Sequence, residues 1–148
     1  MNAPTPRPRV LLAEDNPDHA FFTSRAFQDA HGTGVEMRTV TDGAQVMDYL
    51  HQRGEFIGAP RPHLIVLDLK MPKKGGLDVL AEMEVDPALR AIPVVVLSSS
   101  DRPEDITASY ERGANSYVTK PASLSGLREG VSELARYWMD LATLPEPA

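Results

Sequence analysis

Three short stretches of the chain are rich in Val, Leu and Ile without alternating between apolar and polar residues, namely Val10 to Ala13, Leu64 to Leu69 and Pro93 to Leu97. This pattern is typical of strands that are covered on both faces, as in a mainly parallel sheet. Two further segments, Val35 to Val40 and Ser116 to Thr119, fit a second and a fifth strand. The sequence therefore predicts five strands.

Apolar residues with helical spacing lie between the predicted strands. They are Phe21 with Phe27, Val46 with Leu50, Leu77 with Leu80 and Met83, and Ile106 with Tyr110. A strand followed by a helix, repeated along the chain, predicts an α/β fold of the flavodoxin-like, doubly wound class: a (βα)5 chain with a parallel five-stranded sheet and right-handed crossovers. The functional crevice of such a sheet lies outside the carboxyl ends of the strands.

Length and composition narrow the possible functions. The 148 residues, 42% of them hydrophobic, suffice for one domain, which we place at residues 9–142 between a flexible N-terminal tail (1–8) and a C-terminal tail (143–148) with no output domain attached. A net charge of −6 without a long basic run argues against nucleic-acid binding. No apolar run approaches the ~18 residues of a membrane span, so we expect a cytoplasmic protein. The lack of cysteine excludes disulfides and thiolate metal sites.

Polar residues follow four of the predicted strands. Glu14 and Asp15 follow the first, Asp68 ends the third, Ser98 follows the fourth and Lys120 follows the fifth. Three carboxylates held together repel one another, and either proton uptake or a hard divalent cation relieves that repulsion. Mg²⁺ with oxygen ligands is the more economical of the two. Asp68 could then attack a phosphoryl group as a carboxylate nucleophile, with Lys120 and the Ser98 hydroxyl on the phosphoryl oxygens. The predicted product is an aspartyl phosphate.

These motifs resemble the receiver domain of two-component response regulators over about residues 9–141. The motifs that carry the resemblance appear in order along the chain. They are the acidic pair Glu14-Asp15; Asp68, which is followed by Met71-Pro72 and Gly75-Gly76; Ser98 after the run Pro93 to Leu97; and Tyr117, three residues before Lys120-Pro121. It implies that Asp68 is the phosphorylation site, that the phosphoryl donor is a sensor histidine kinase, and that the protein signals through protein contacts and is not a conventional enzyme.

The resemblance also implies a set of metal ligands for Mg²⁺. Asp15 and Asp68 would bind the ion directly, the backbone carbonyl of Lys70 would be a third ligand, and Glu14 would act through a water molecule. The same resemblance implies a cis bond between Lys120 and Pro121.

Two side chains resemble the switch pair of receiver domains. Phosphorylation would recruit the Ser98 hydroxyl, and the vacated space would let the ring of Tyr117 turn inward. The surface formed by the fourth helix, the fifth strand and the fifth helix would then change with phosphorylation.

A narrower resemblance concerns the partner. The long loop at residues 52–62 and the Lys73-Lys74-Gly75 turn are similar to single-domain regulators that work with bacterial phytochromes. A phytochrome-type sensor histidine kinase is therefore the expected partner.

The last predicted helix carries an apolar stripe with a heptad repeat at Leu124, Leu127, Val131, Leu134, Trp138 and Leu141. The first half could simply pack on the sheet. The second half extends beyond what sheet coverage needs, which predicts apolar surface shared with a second copy. We expect a homodimer through the surface of the fourth helix, fifth strand and fifth helix, including Leu134, Trp138 and Leu141.

Alternatives remain open at this point. A pseudo-receiver that binds partners without phosphorylation would use the same surface, although the intact set of polar strand ends argues against it. A phosphatase of the haloacid dehalogenase type would need a carboxylate two residues after Asp68, where the chain has Lys70. The histidines at 19, 31, 51 and 63 show no i, i+4 pairing typical of a zinc site, and we assign none of them a catalytic role.

Overall fold

The computed structural model describes residues 7–31 and 34–148, so residues 1–6 of the predicted N-terminal tail lie outside the described part. Five strands alternate with five helices as the sequence predicts. In chain order they are β1 Arg9–Ala13, α1 Pro17–Ala30, β2 Glu36–Val40, α2 Gly43–Leu50, β3 Leu64–Leu67, α3 Gly76–Glu84, β4 Val94–Ser98, α4 Pro103–Glu111, β5 Ser116–Thr119 and α5 Leu124–Arg136. A 3₁₀ turn at Gly54–Phe56 interrupts the predicted loop, and a π-helical turn at Tyr137–Leu141 continues α5.

The five strands form one parallel sheet in the order β2-β1-β3-β4-β5. From β1 the chain moves outward to β2, and it then crosses back to add β3, β4 and β5 on the other side. This reversal is the topological switch point of a doubly wound sheet, and it lies between β1 and β3. The predicted flavodoxin-like fold is confirmed.

The sheet is covered on both faces, which explains why its strands do not alternate between apolar and polar residues. Leu11 and Ile65 belong to a core cluster shared with α2 and α3. Their strand neighbours Val10 and Leu12 belong to a second cluster, in which they pack with Phe27 of α1 and with residues of α5. Successive residues of one strand therefore enter opposite cores.

Side-chain caps fix where three of the helices begin. The Asn16 side chain accepts hydrogen bonds from the amides of Asp18 (3.0 Å) and His19 (3.2 Å) and starts α1 immediately after the acidic pair. Asp42 starts α2 and Ser123 starts α5 in the same way. Such caps satisfy amides that have no partner inside the helix, and the Asn16 cap sets the direction in which the first turn of α1 leaves β1.

The middle of the apolar stripe of the last helix faces the chain's own core, and its two ends are exposed. Leu127 and Val131 are buried, and Leu134 and Trp138 are partly buried against the second cluster, whereas Leu124 is 50% and Leu141 75% exposed. The expectation that the second half of the stripe extends beyond the sheet is therefore wrong for Leu134 and Trp138. The reason is that the end of α1 and the segment after the last helix also pack on this part of the helix.

Residues 143–148 return along the edge of the sheet opposite the candidate site. Leu144 packs against the second cluster. Glu146 Oε2 lies 3.2 Å from Nε2 of His63, while Nδ1 of His63 accepts a hydrogen bond of 3.0 Å from the amide of Arg9. His63 thus joins the start of β1 to the end of the chain. Within the described residues, no helix is long and apolar enough to cross a membrane.

Candidate functional site

The candidate site lies at the carboxyl edge of the sheet, where Glu14, Asp68 and Lys120 directly follow β1, β3 and β5. Their amides continue the strand ladders by donating to carbonyls of neighbouring segments at 3.0, 3.0 and 2.8 Å, respectively. The side chains are therefore positioned by a rigid sheet and not by a free loop. Ser98 is the last residue of β4 and is fully buried.

Lys120 is at the centre of the site, with a buried ammonium group. Nζ donates a hydrogen bond to Asp68 Oδ2 at 3.0 Å and another to Glu14 Oε1, and it lies 3.0 Å from Nδ1 of His19. Only 4% of the Lys120 side chain is exposed, and 2% and 8% of the Glu14 and Asp68 side chains, so these charges are shielded from solvent. Buried charges of this kind are tolerated because they are paired.

Three carboxylates form a compact cluster next to this ammonium group. One oxygen each from Glu14, Asp15 and Asp68 lies within 4.8 Å of the others, and Asp15 is exposed, so the cluster is open to solvent on one side. Burial raises the pKa of Glu14 above its ordinary value of 4.5, and the nearby charge of Asp68 raises it further, against the opposing effect of Lys120. Three carboxylates thus share one ammonium group, and the raised pKa of Glu14 reflects the cost of holding this negative charge away from water.

The donor set of the cluster fits a hard divalent cation. All three ligand candidates are carboxylates, and oxygen ligands are those that Mg²⁺ and Mn²⁺ prefer. Lys70 follows at the edge of the cluster, where its amide donates to Asp68 Oδ1 at 3.2 Å, and its side chain is exposed. The structure thus brings together the predicted acidic residues and the segment that contains Lys70.

Glycine allows the loop after Asp68 to close tightly on the site. A Cβ at Gly76 would stand 2.6 Å from the carbonyl oxygen of Asp68, and the Gly76 amide donates to the Leu69 carbonyl at 2.9 Å. A Cβ at Gly43 would stand 2.2 Å from the carbonyl oxygen of Lys74, to which the Gly43 amide donates at 3.0 Å. These two approaches join the loop after β3 to the starts of α3 and α2.

The predicted switch residues meet at the loop after β4. Ser98 Oγ accepts a hydrogen bond of 3.3 Å from the amide of Ser100, and the half-buried Tyr117 donates its hydroxyl to the carbonyl of Ser100 at 2.7 Å. Ser100 Oγ in turn donates to Asp105 Oδ2 of α4 at 2.5 Å. Ser98 and Tyr117 therefore do not touch through hydrogen bonds, and Ser100 links both of them to α4.

One expectation from the sequence needs correction at this site. The bond between Lys120 and Pro121 is trans, and in this conformation Lys120 reaches both carboxylates. The structure also adds His19, which the sequence analysis did not assign to the site, and places its ring against Lys120. Burial and the positive charge of Lys120 lower the pKa of His19 below its ordinary value of 6.5. The only signal for His19 was its place in the first helical turn after the acidic pair.

Comparison with known proteins gives consistent matches. The family profile described as the response regulator receiver domain matches residues 10–132. The chain is 41% identical over 139 residues to the response regulator Rcp1 of Synechocystis sp., covering 92% of each protein. It superposes on the phosphorylated cyanobacterial phytochrome response regulator RcpA with a TM-score of 0.90 (44% identity; 95% of this chain, 99% of that one). For the Mn²⁺-bound form of Rcp1 the TM-score is 0.89 (38% identity; 95% and 99%).

Proposed function

The chain belongs to the response regulator receiver domain family, and we propose that it accepts a phosphoryl group on Asp68 from a partner histidine kinase. The observation that carries this proposal is the buried ammonium group of Lys120 between Asp68 and Glu14, at the open acidic cluster. A carboxylate nucleophile, a cation beside it and an oxygen-only ligand set are the parts that phosphoryl transfer needs.

The proposed transfer breaks the bond between phosphorus and the histidine nitrogen of the kinase as a bond forms between phosphorus and a carboxylate oxygen of Asp68. The other ring nitrogen of the phosphohistidine carries a proton, so the histidine leaves as a neutral imidazole when the bond to phosphorus breaks. The Lys120 N–H group that donates to Asp68 in this structure changes its acceptor to a phosphoryl oxygen. The Ser98 hydroxyl binds another phosphoryl oxygen.

Mg²⁺ is the proposed cofactor. Asp15, Asp68 and the Lys70 carbonyl would hold it directly, and Glu14 through water. When bound, the ion offsets the negative charge of the phosphoryl group and of the acidic cluster. This proposal is supported by the donor set described above and by the Mn²⁺-bound form of the relative Rcp1.

Intact mass after incubation with acetyl phosphate tests the chemistry. We expect a gain of one phosphoryl group on the wild type with Mg²⁺ and no gain in EDTA. Without the ion, the negative charge of the acidic cluster repels the incoming phosphoryl group. Asp68→Asn should gain nothing, whereas Asp101→Asn, an exposed aspartate in the loop after β4, should behave as wild type. No gain on the wild type under any condition would favour the pseudo-receiver alternative.

The partner is proposed to be a phytochrome-type sensor histidine kinase in the cytoplasm. Support comes from the similarity over nearly the whole chain to RcpA, a cyanobacterial phytochrome response regulator. A purified phytochrome-type kinase, phosphorylated on its histidine, should lose its label to the wild type faster than a sensor kinase of another class does. Equal rates from both kinases would contradict this assignment.

Signalling is proposed to proceed through Ser98 and Tyr117. If the phosphoryl group attracts the Ser98 hydroxyl, the Ser100 amide loses its acceptor, and the anchor of the Tyr117 hydroxyl moves with Ser100. The surface of α4, β5 and α5 would change accordingly. Tyr117→Phe should be phosphorylated normally but should show smaller amide shifts in α4 by NMR on phosphorylation; unchanged shifts would refute this route.

A homodimer through this region is also proposed, with a smaller apolar contribution than the heptad pattern predicts. Of its expected side chains, Leu134 and Trp138 pack inward, and Leu141 remains 75% exposed, with Tyr137 50% exposed one turn earlier. Sedimentation velocity should show a dimer that Leu141→Asp weakens and Ile57→Asp, an exposed apolar residue of the loop after α2, does not. Equal sedimentation of both variants and the wild type would refute the interface.

A further inference from the structure

His19 supplies the third acceptor of the Lys120 ammonium group. An ammonium group has three N–H donors and no acceptor, so the 3.0 Å contact between Nζ and Nδ1 of His19 is a hydrogen bond only if Nδ1 is the acceptor. The imidazole must then carry its hydrogen on Nε2. The other two donors go to Glu14 and Asp68. All three N–H groups of Lys120 therefore have a partner inside the site.

The three acceptors differ in charge, and this difference has a consequence for Lys120. Glu14 and Asp68 are carboxylates of the acidic cluster, whereas His19 is neutral when it accepts through Nδ1. A neutral acceptor on α1 holds the ammonium group without using a carboxylate oxygen. If His19 were apolar, the third N–H could turn only to water or further onto the carboxylates, and Lys120 would occupy oxygens that a cation needs.

We propose that His19 is a positioning residue for Lys120 during phosphoryl transfer. The inference rests on the proposed function. When Lys120 moves one hydrogen bond from Asp68 to a phosphoryl oxygen, Glu14 and His19 are the two contacts that keep Nζ in place. His19 does not touch the reacting atoms in this role, and it acts only through the position of the ammonium group.

Local geometry supports a specific role for this ring. The Asn16 cap fixes the first turn of α1 by accepting from the His19 amide at 3.2 Å, so the backbone that carries the ring is itself anchored. The side chain is 26% exposed, so most of the ring lies inside the site beside Lys120. A leucine at this position would lack the acceptor atom.

Three substitutions in the full chain test the role. His19→Leu removes the acceptor, His19→Asn keeps one near the place of Nδ1, and His51→Leu changes an exposed histidine at the end of α2. At saturating Mg²⁺, we expect the maximal rate of phosphorylation by acetyl phosphate to fall roughly threefold to tenfold in His19→Leu, as for one lost hydrogen bond. His19→Asn and His51→Leu should stay within about twofold of wild type on the same reasoning.

The dependence on acetyl phosphate concentration separates positioning from access. A lower maximal rate with an unchanged half-saturating concentration is expected, because the donor binds as before and only Lys120 is misplaced. Equal loss in His19→Leu and His19→Asn, or no loss in either, would overturn the proposal. If the wild type is not phosphorylated at all, the proposed function fails, and the contact is then judged by the next measurement.

Nitrogen NMR of the unphosphorylated protein tests the contact without any phosphoryl transfer. Long-range ¹H–¹⁵N correlation, with His19→Asn identifying the signal, should show an unprotonated Nδ1 and a protonated Nε2 at neutral pH. Lys120→Met should shift the Nδ1 resonance by removing its donor. A protonated Nδ1 in the wild type, or a resonance that Lys120→Met leaves unchanged, would overturn the inference while leaving Asp68 chemistry intact.

Discussion

Replacing Lys120 with methionine should destabilise the protein, and Mg²⁺ should reverse much of the loss. The substitution keeps an unbranched side chain but removes the ammonium group from between two carboxylates that are 2% and 8% exposed. Breaking a buried ion pair costs about 3–5 kcal/mol, because the remaining charge stays buried without a partner. Since the exposed Asp15 opens the cluster to solvent, we expect a smaller loss of about 2–4 kcal/mol in the free energy of unfolding.

Mg²⁺ should stabilise this variant more than it stabilises the wild type. In the wild type the ammonium group already pairs with Glu14 and Asp68, whereas in the variant both carboxylates are left for the metal ion. A tenfold gain in Mg²⁺ affinity corresponds to about 1.4 kcal/mol of additional stabilisation when the ion is in excess.

Urea unfolding followed by the fluorescence of Trp138, the single tryptophan of the chain, measures both effects in EDTA and in excess Mg²⁺. Lys70→Met is the matched control, because it removes the same charge from an exposed side chain two residues after Asp68. Equal stability of Lys120→Met and Lys70→Met in EDTA would refute the reasoning. So would equal stabilisation of Lys120→Met and the wild type by Mg²⁺.

Three further predictions concern other parts of the molecule. Gly43→Ala should lower the free energy of unfolding by about 1–3 kcal/mol, because the new Cβ would meet a backbone carbonyl. Gly130→Ala should raise it by about 0.5–1 kcal/mol, because the new Cβ would point into open space on α5. Urea unfolding that gives the opposite order of stability would contradict the described packing at these glycines. Deleting residues 143–148 should cost about 1–2 kcal/mol in urea unfolding through lost apolar burial but leave phosphorylation by acetyl phosphate unchanged, since the segment lies at the opposite edge of the sheet. The depressed pKa of His19 means that its protonation opposes folding beside Lys120. The stability of the wild type relative to His19→Asn should therefore be constant above the ordinary pKa of 6.5 and fall below it, and a difference independent of pH would contradict this.

The site was predictable as far as it depends on strand ends. Parallel strands place their carboxyl ends at one edge, so residues directly after the strands, such as Asp68 and Lys120, must converge whatever the details of packing. The unalternating strands likewise predicted a sheet covered on both faces. These features follow from local pattern and topology alone.

Contacts that depend on the orientation of a helix on the sheet, or on the path of the chain after the last helix, were not predictable from the sequence. His19 reaches Lys120 because the Asn16 cap and the burial of Phe27 fix how α1 lies on the sheet, and no spacing in the sequence encodes that orientation. The pairing of His63 with Glu146 joins residues 83 positions apart. Such contacts arise from tertiary packing, which periodicity does not report.

The apolar stripe of the last helix is a second case in which a sequence pattern does not predict tertiary packing. Its heptad spacing is real, but spacing gives only the face of the helix and not what covers it. Trp138 packs against the second cluster, and the chain end also lines the surface beside it. The prediction from the heptad pattern therefore overestimated the apolar surface that is available to a second copy of the chain.

Reduction of the phosphorylated protein with borohydride tests the central claim most directly. Borohydride converts an aspartyl phosphate to homoserine, and tandem mass spectrometry of the peptides then locates the converted residue. After incubation with acetyl phosphate and Mg²⁺, we predict homoserine at position 68 and at no other aspartate, and none in the EDTA control. Homoserine at Asp15 in place of Asp68, or its absence from a protein that has gained phosphoryl mass, would contradict the account.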